Sequence, residues 1–144
     1  PIAAGDAATA GAAGAADGDS GAAEGEAVGA TAEFALLSID VDGFDYWLWG
    51  DVKLYRSSVV VIEFNPTIPN HIVFVQPRDP SVQQGSSLAA LCELAEAKGY
   101  RLVETTLFNA FFARDDLWER FAPHLPDGGD GITIDHLHAP SMAT

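Results

Sequence analysis

The apolar run at residues 59–64, Val-Val-Val-Ile-Glu-Phe, constrains the fold of this chain more than any other segment. Strands that are β-branched and almost continuously apolar are usually buried on both faces, as in a parallel sheet. A second apolar strand is predicted at residues 36–40, and a helix at residues 45–54, with Asp45 as its N-cap, separates the two. Strands that alternate with helices predict an α/β fold with a mostly parallel sheet.

Residues 65–85 contain four prolines and predict a long loop. Ordered loops of this length often serve as lids or binding loops. A helix is expected to follow, because Ser86 or Ser87 can cap its first turn and Lys98 lies in its last turn before Gly99.

Two strands are predicted at residues 100–106 and 109–114, followed by a short helix at 115–121. The connection between these strands is too short for a crossover helix. They are therefore expected to pair antiparallel at one edge of the sheet.

The two ends of the chain differ in composition from its middle. Residues 1–33 contain fourteen Ala and seven Gly with no Lys, Arg or aromatic residue. Such a segment offers little apolar surface to offset the entropy of ordering, so it predicts a disordered leader. Residues 126–144 are expected to form a loose tail, which leaves one partial domain at 34–125. The chain begins with Pro, which suggests that it is processed or belongs to a longer product.

Charge and cysteine content narrow the classes of function. The net charge is −14, and the first 52 residues carry ten acids without Lys or Arg. Phosphate backbones and anionic lipid would repel such a chain, so no nucleic-acid or membrane partner is expected. The single cysteine, Cys92, excludes an intrachain disulfide and fits a cytoplasmic location. The four histidines are expected at the surface, so no metal site is predicted and a small molecule is the expected ligand.

The strand at 36–40 ends in Asp40-x-Asp42-Gly43. Open α/β sheets place their chemistry at the carboxyl ends of strands. This pattern is similar to the Asp-x-Asp-Gly-Thr of haloacid-dehalogenase phosphatases, in which Asp40 would be the nucleophile, although Phe44 replaces the Thr. It is also similar to the Asp-x-Asp of metal-dependent glycosyltransferases, although the chain has no basic cluster for a diphosphate.

A longer series of segments carries a third resemblance. Residues 36–47, Leu-Leu-Ser-Ile-Asp-Val-Asp-Gly-Phe-Asp-Tyr-Trp, and 59–66, Val-Val-Val-Ile-Glu-Phe-Asn-Pro, resemble the FkbM-type family of S-adenosylmethionine-dependent methyltransferases. Further similar segments follow in the same order at residues 85–91, 98–103 and 109–113. The resemblance implies a partial Rossmann-like, class I methyltransferase sheet, S-adenosylmethionine as cofactor, and methyl transfer to an oxygen.

The resemblance also implies that part of the domain is missing. Class I methyltransferases bind the cofactor with a Gly-rich turn after their first strand, and no apolar strand before Leu36 leads into such a turn. The chain would correspond to the fourth to seventh strands, with the strand at 36–40 as an unpaired edge. The expected partner is then the missing half of the domain, and a degenerate interaction module is the non-enzymatic alternative.

Site residues follow from the same resemblance. Asp40 and Asp42 would lie near the transferred methyl group, and Asp40 and Gly43 would contact the cofactor. Glu63, one residue before the end of its predicted strand, either pairs with a backbone or Arg partner or faces the cleft as a further catalytic carboxylate.

Overall fold

The computed structural model describes residues 32–139, and the secondary structure below refers to them. The strands are β1 (Ala32–Ile39), β2 (Tyr55–Glu63), β3 (Tyr100–Thr105) and β4 (Asn109–Arg114). The helices are α1 (Asp45–Asp51), α2 (Leu88–Lys98), α3 (Trp118–Phe121) and α4 (Ile134–Leu137). Single 3₁₀ turns occupy Asp115–Leu117, Ala122–His124 and Pro126–Gly129. The α/β class predicted from the sequence is confirmed.

The sheet is mixed, with the strand order β1-β2-β4-β3. β1 and β2 are parallel, whereas β4 runs antiparallel to both of its neighbours. The antiparallel terminal pair is confirmed, and β1, β2 and β3 run in the same direction, so β4 alone is reversed among the described strands. The short turn at residues 106–108 returns the chain at once, and β4 lies between β2 and β3.

The core lies between one face of this sheet and the helices α1 and α2. Trp49 of α1 is almost fully buried, and its ring packs 5.3 Å from that of Phe112 and 5.8 Å from that of Tyr100. The caps of α2 are those expected, because the Ser87 hydroxyl accepts a hydrogen bond from the Ala90 amide and Gly99 closes the helix with a φ of 77°. The remaining core members are Ile39, Val60, Ile62, Phe64, Leu88, Leu91, Ala95 and Ala110.

The other face of the sheet is covered less completely. Along β2, Val60 and Ile62 are fully buried toward the helices, whereas Val59 and Val61 on the opposite face are only half-buried. The expectation that this strand is buried on both faces is therefore wrong. β1 lies at the outer edge of the described sheet, and Leu36 on it is 56% exposed.

The described fold includes residues outside the predicted domain at 34–125. β1 begins at Ala32, and Glu33 forms an ion pair with the buried Arg114 of β4 at 2.9 Å. Ala32 and Glu33, which lie before the predicted start of the domain at residue 34, therefore belong to the sheet. Residues 1–31, the remainder of the predicted leader, lie outside the described part of the chain.

The segment after Leu125, expected to be a loose tail, packs against the rest of the fold as far as His138. His138 is 5% exposed, and its ring meets that of Phe64 edge-on at 4.9 Å. The Thr105 hydroxyl donates to the carbonyl of Leu137, and the side-chain amide of Asn70 donates to the carbonyl of His138. The prediction of a surface histidine is wrong at position 138. None of the helices within residues 32–139 has the length and apolar composition needed to cross a bilayer.

Candidate functional site

The turn that follows β1 has an unusual backbone. Asp42 has a φ of 52°, and Gly43 has a φ of 100°. Aspartate is among the few residues that tolerate the left-handed region, and glycine enters it at little cost. Gly43 is also closely approached, since a Cβ atom there would lie 2.7 Å from Oε1 of Gln76 and 2.8 Å from the Gly85 amide. The Asp-Gly sequence therefore permits both the turn and its contact with the long loop.

Asp45 holds this turn closed from the start of α1. Its carboxylate accepts hydrogen bonds from the amides of Val41 and Gly43, at 3.1 and 2.9 Å. The N-cap of α1 is Phe44, so the prediction that Asp45 caps the helix is wrong. The side chain turns back to the free amides of the preceding turn. Burial raises the pKa of Asp45, although these hydrogen bonds oppose the shift.

The loop between β2 and α2 is held by one buried glutamine. Oε1 of Gln76 accepts hydrogen bonds from the amides of Gln84 and Gly85, while Nε2 donates to the carbonyl of Val82. The carbonyl of Gln76 accepts a hydrogen bond from the indole of Trp47 in α1. This glutamine therefore ties the loop to α1 and places it beside the turn at residues 40–43.

A cavity of about 400 Å³ lies between that turn, the end of β2 and the loop. Asp42 and Gly43 contribute from the turn, and Glu63 contributes from the end of β2. None of the residues that line it is a lysine or an arginine. The other lining residues are Asp45, Phe64, Asn65, Pro66, Thr67, Gln83, Gln84, Gly85 and Phe108.

Glu63 lines this cavity. Within residues 32–139 its carboxylate has neither an ion-pair partner nor a side-chain hydrogen bond. Burial raises the pKa of Glu63, and the negative charges of Asp40, Asp45 and Asp42 raise it further. A carboxylate that lines a cavity can act as a proton acceptor.

The predicted site residues divide into two groups. Asp42, Gly43 and Glu63 line the same cavity, although they are separated by about twenty residues in the chain. Asp40 lies just beyond the end of β1, is exposed, and is absent from the cavity lining. Its influence on the described site is electrostatic, through its effect on the pKa of Glu63.

Sequence reasoning missed two residues that build the site. Gln76 has no motif around it, and only its burial reveals its role. Asn65 is more accessible to prediction, because asparagine before Pro66 favours a turn in which its side chain binds the backbone two residues later. Its Oδ1 accepts a hydrogen bond from the amide of Thr67, and its Nδ2 donates to the carbonyl of Gln84.

Metal-ligand geometry is not found around the cavity. No three His, Cys, Asp or Glu side chains between residues 32 and 139 converge as a group that could hold a metal ion. His136 and His138 point to separate partners, the carbonyl of Gly131 and the carbonyl of Pro66. Comparisons of the chain with protein-family models, with curated proteins and with solved structures find no match.

Proposed function

We propose that this chain is part of an S-adenosylmethionine-dependent methyltransferase that transfers the methyl group to an oxygen. One observation carries the proposal: Asp42, which follows β1, and Glu63, which ends the neighbouring parallel strand β2, line one cavity that has no lysine or arginine. Carboxylates gathered in this way favour a cationic ligand. The residue series that resembles the FkbM-type family brings the same two carboxylates to this position.

The residues fit the sulfonium group of S-adenosylmethionine by charge and by space. The cofactor supplies an electrophilic methyl group and leaves as a neutral thioether. The carboxylate of Asp42, which lines the cavity, would lie near the positive sulfur. Glu63 would accept the proton that the acceptor hydroxyl loses as its oxygen bonds to the methyl carbon.

The adenosine half of the cofactor has no counterpart in the described cavity. We place its site on a further part of the domain, on the free edge of β1, which would complete the sheet. The chain alone should then bind the cofactor weakly, through the sulfonium and amino-acid moieties. The lone cysteine, Cys92, whose burial raises its pKa to about 12, is compatible with the cytoplasmic location that belongs to this proposal.

The phosphatase alternative finds less support. Its nucleophile would be Asp40, which is exposed and does not line the cavity. The cavity also offers no cationic side chain to a phosphoryl group, which such chemistry requires. Beryllium fluoride is a phosphate mimic. Any binding of it should therefore be unchanged by Asp40→Asn.

Calorimetric titration with S-adenosylmethionine and S-adenosylhomocysteine tests the proposal. The double variant Asp42→Asn, Glu63→Gln should lower the affinity for S-adenosylmethionine by about tenfold, as expected when a nearby charge pair is lost. The affinity for S-adenosylhomocysteine should change less, because its sulfur is neutral. Asn is chosen because it tolerates the positive φ at position 42.

The variant Asp127→Asn, Glu119→Gln is the matched control, because it removes two exposed acids outside the cavity. Absence of binding for both ligands at millimolar concentration, in a folded chain, would favour the interaction module. Equal losses of affinity for both ligands in the variant Asp42→Asn, Glu63→Gln would contradict the role assigned to the two carboxylates.

A further inference from the structure

A second polar cavity, of about 260 Å³, lies at the opposite end of β2. It is formed where β2 and β3 begin and where α1 and α2 end. Lys53, Arg56 and Lys98 line it, which places three of the seven Lys and Arg residues of the chain in one pocket. In a chain of net charge −14, such a local excess of positive charge calls for an explanation. We refer to these three residues with Ser57 as the basic pocket.

The cations of the basic pocket are not neutralised by the protein around them. The ion pairs of the described residues use Arg78, Arg101 and Arg114. Within residues 32–139, Lys53 and Arg56 have neither an ion pair nor a side-chain hydrogen bond. The Lys98 ammonium donates to the carbonyl of Val52 at 2.8 Å, which satisfies the end of α1. Burial lowers the pKa of Lys98 and the charge of Lys53 lowers it further, whereas the negative charge of Asp51 opposes the shift.

A buried hydroxyl group in the same pocket also has no partner. Ser57 is 1% exposed, and its Oγ makes no hydrogen bond within the described chain. The Tyr100 hydroxyl does not satisfy it, because that group donates to the Ser57 carbonyl at 2.8 Å. Buried polar groups are rarely left without a hydrogen bond, so this hydroxyl retains the capacity for one more partner.

Arg56 reaches this pocket from the start of β2. A Cβ atom at residue 99 would lie 3.5 Å from its Nη2 atom, so the guanidinium lies against the backbone at the end of α2. A guanidinium and two ammonium groups together form a set of donors. The chemical group that such a set recognises is an oxyanion, because an arginine can bind two of its oxygens at once.

We propose that the basic pocket binds an oxyanion of the size of a phosphate group. Two sources can supply it: a phosphorylated small molecule, or a carboxylate from residues 1–31, which carry five acids and neither Lys nor Arg. Residues 1–31 precede Ala32 in the chain, and the amide of Ala32 donates to the carbonyl of Leu54 at 3.0 Å, beside Lys53. The site is separate from the cavity proposed for methyl transfer, since the two lie at opposite ends of β2.

Inorganic phosphate, titrated into the ¹⁵N-labelled full chain, tests this site by amide chemical shifts. Ionic strength near 0.15 M is suitable, because it screens charges that are farther apart than about 8 Å. The amides of Ser57 and Gly99 should shift in a saturable manner, while those of Gly43 and Gly85 should not. Lys53→Gln, Arg56→Gln should weaken binding by about tenfold or more, the fold-change for a lost hydrogen bond to a charged group.

Arg120→Gln is the matched control, since Arg120 is exposed, lies outside the pocket and forms no ion pair within the described residues. It should change the affinity less than twofold, as should Glu63→Gln in the other cavity. Arg56→Lys keeps the charge and should retain part of the binding, which separates loss of the site from loss of the fold. Equal weakening by Arg120→Gln, or no saturable shift of Ser57 and Gly99, would overturn the proposal.

The source of the oxyanion is distinguished in the same titration. Replacing the five acids of residues 1–31 with their amides removes any competing carboxylate. A higher affinity for phosphate in that variant assigns the pocket to the chain's own acidic segment. An unchanged affinity assigns it to a phosphorylated small molecule.

Discussion

Gly43→Ala should destabilise the protein, because a φ of 100° is strained for alanine and the new Cβ would lie 2.7 Å from Oε1 of Gln76. The backbone strain alone is expected to cost about 1–3 kcal/mol. Gly50→Ala is the matched control, since Gly50 lies within α1 and nothing approaches a Cβ there within 4 Å. That substitution should stabilise by about 0.5–1 kcal/mol. Urea unfolding at pH 7 measures both changes, and equal effects would contradict this account of the turn.

Glu63→Gln should stabilise the protein at pH 7. The folded state raises the pKa of Glu63, so it binds the proton more readily than the unfolded state does. The stability that this group contributes is therefore full below about pH 4, the ordinary range of an unfolded glutamate, and is lost as the pH rises through the folded pKa. Glutamine carries no charge, so Glu63→Gln removes this loss of stability at pH 7. The gain in the free energy of unfolding should disappear in acid, where the glutamate is protonated in both states.

Urea unfolding of Glu63→Gln between pH 4 and pH 7 checks this dependence. Glu119→Gln, which removes an exposed acid of α3, should stay within about 0.5 kcal/mol of the native chain at each pH. A destabilised Glu63→Gln at pH 7 would mean that the carboxylate makes a favourable interaction outside the described residues.

At the scale of elements, the loop at residues 64–87 depends on Gln76. Gln76→Leu keeps the volume but leaves the amides of Gln84 and Gly85 and the carbonyl of Val82 without partners. Each buried group left unpaired costs about 1–3 kcal/mol, so the loop should open locally. Hydrogen exchange should speed up at Gly85 and at the Trp47 indole, whereas the exposed Gln83→Leu should leave both unchanged. Unchanged exchange in Gln76→Leu would contradict this role.

Elements with strong local signals could be predicted from the sequence. The capping residues Ser87 and Gly99 set α2, and the short turn at 106–108 set the antiparallel pair. The position of β4 between β2 and β3 could not be predicted, because strand order depends on contacts between distant segments. For the same reason the packing of His138 on Phe64 was missed in a segment rich in Gly and Asp.

The candidate site shows the same division. The Asp-x-Asp-Gly pattern indicated the turn, and the apolar strand indicated where Glu63 would lie. The direction of Asp45 toward the turn, and the exclusion of Asp40 from the cavity, required the backbone geometry at positions 42 and 43. Positive φ angles at Asp42 and Gly43 change the direction of the chain. The spacing of apolar residues in the sequence does not predict that change.

At the scale of the whole molecule, the sheet has helices α1 and α2 on one face and an open edge at β1 in the described chain. Open apolar edges favour association between chains. Leu36→Lys should reduce concentration-dependent self-association, measured by sedimentation velocity, because a charge on the edge strand opposes pairing. Leu107→Lys, which replaces an equally exposed leucine in the turn before β4, should have a smaller effect. Equal effects of Leu36→Lys and Leu107→Lys would mean that association depends on exposed apolar surface in general and not on the edge of β1.

Binding of the sulfonium group of S-adenosylmethionine between Asp42 and Glu63 is checked by an amide-shift titration of the full chain with this cofactor. We expect saturable shifts at Gly43, Glu63 and Gly85, which border the cavity, and none at Ser57 in the basic pocket or at Gly99 beside Arg56. Shifts confined to the basic pocket, or no shifts at all at millimolar concentration, would contradict it.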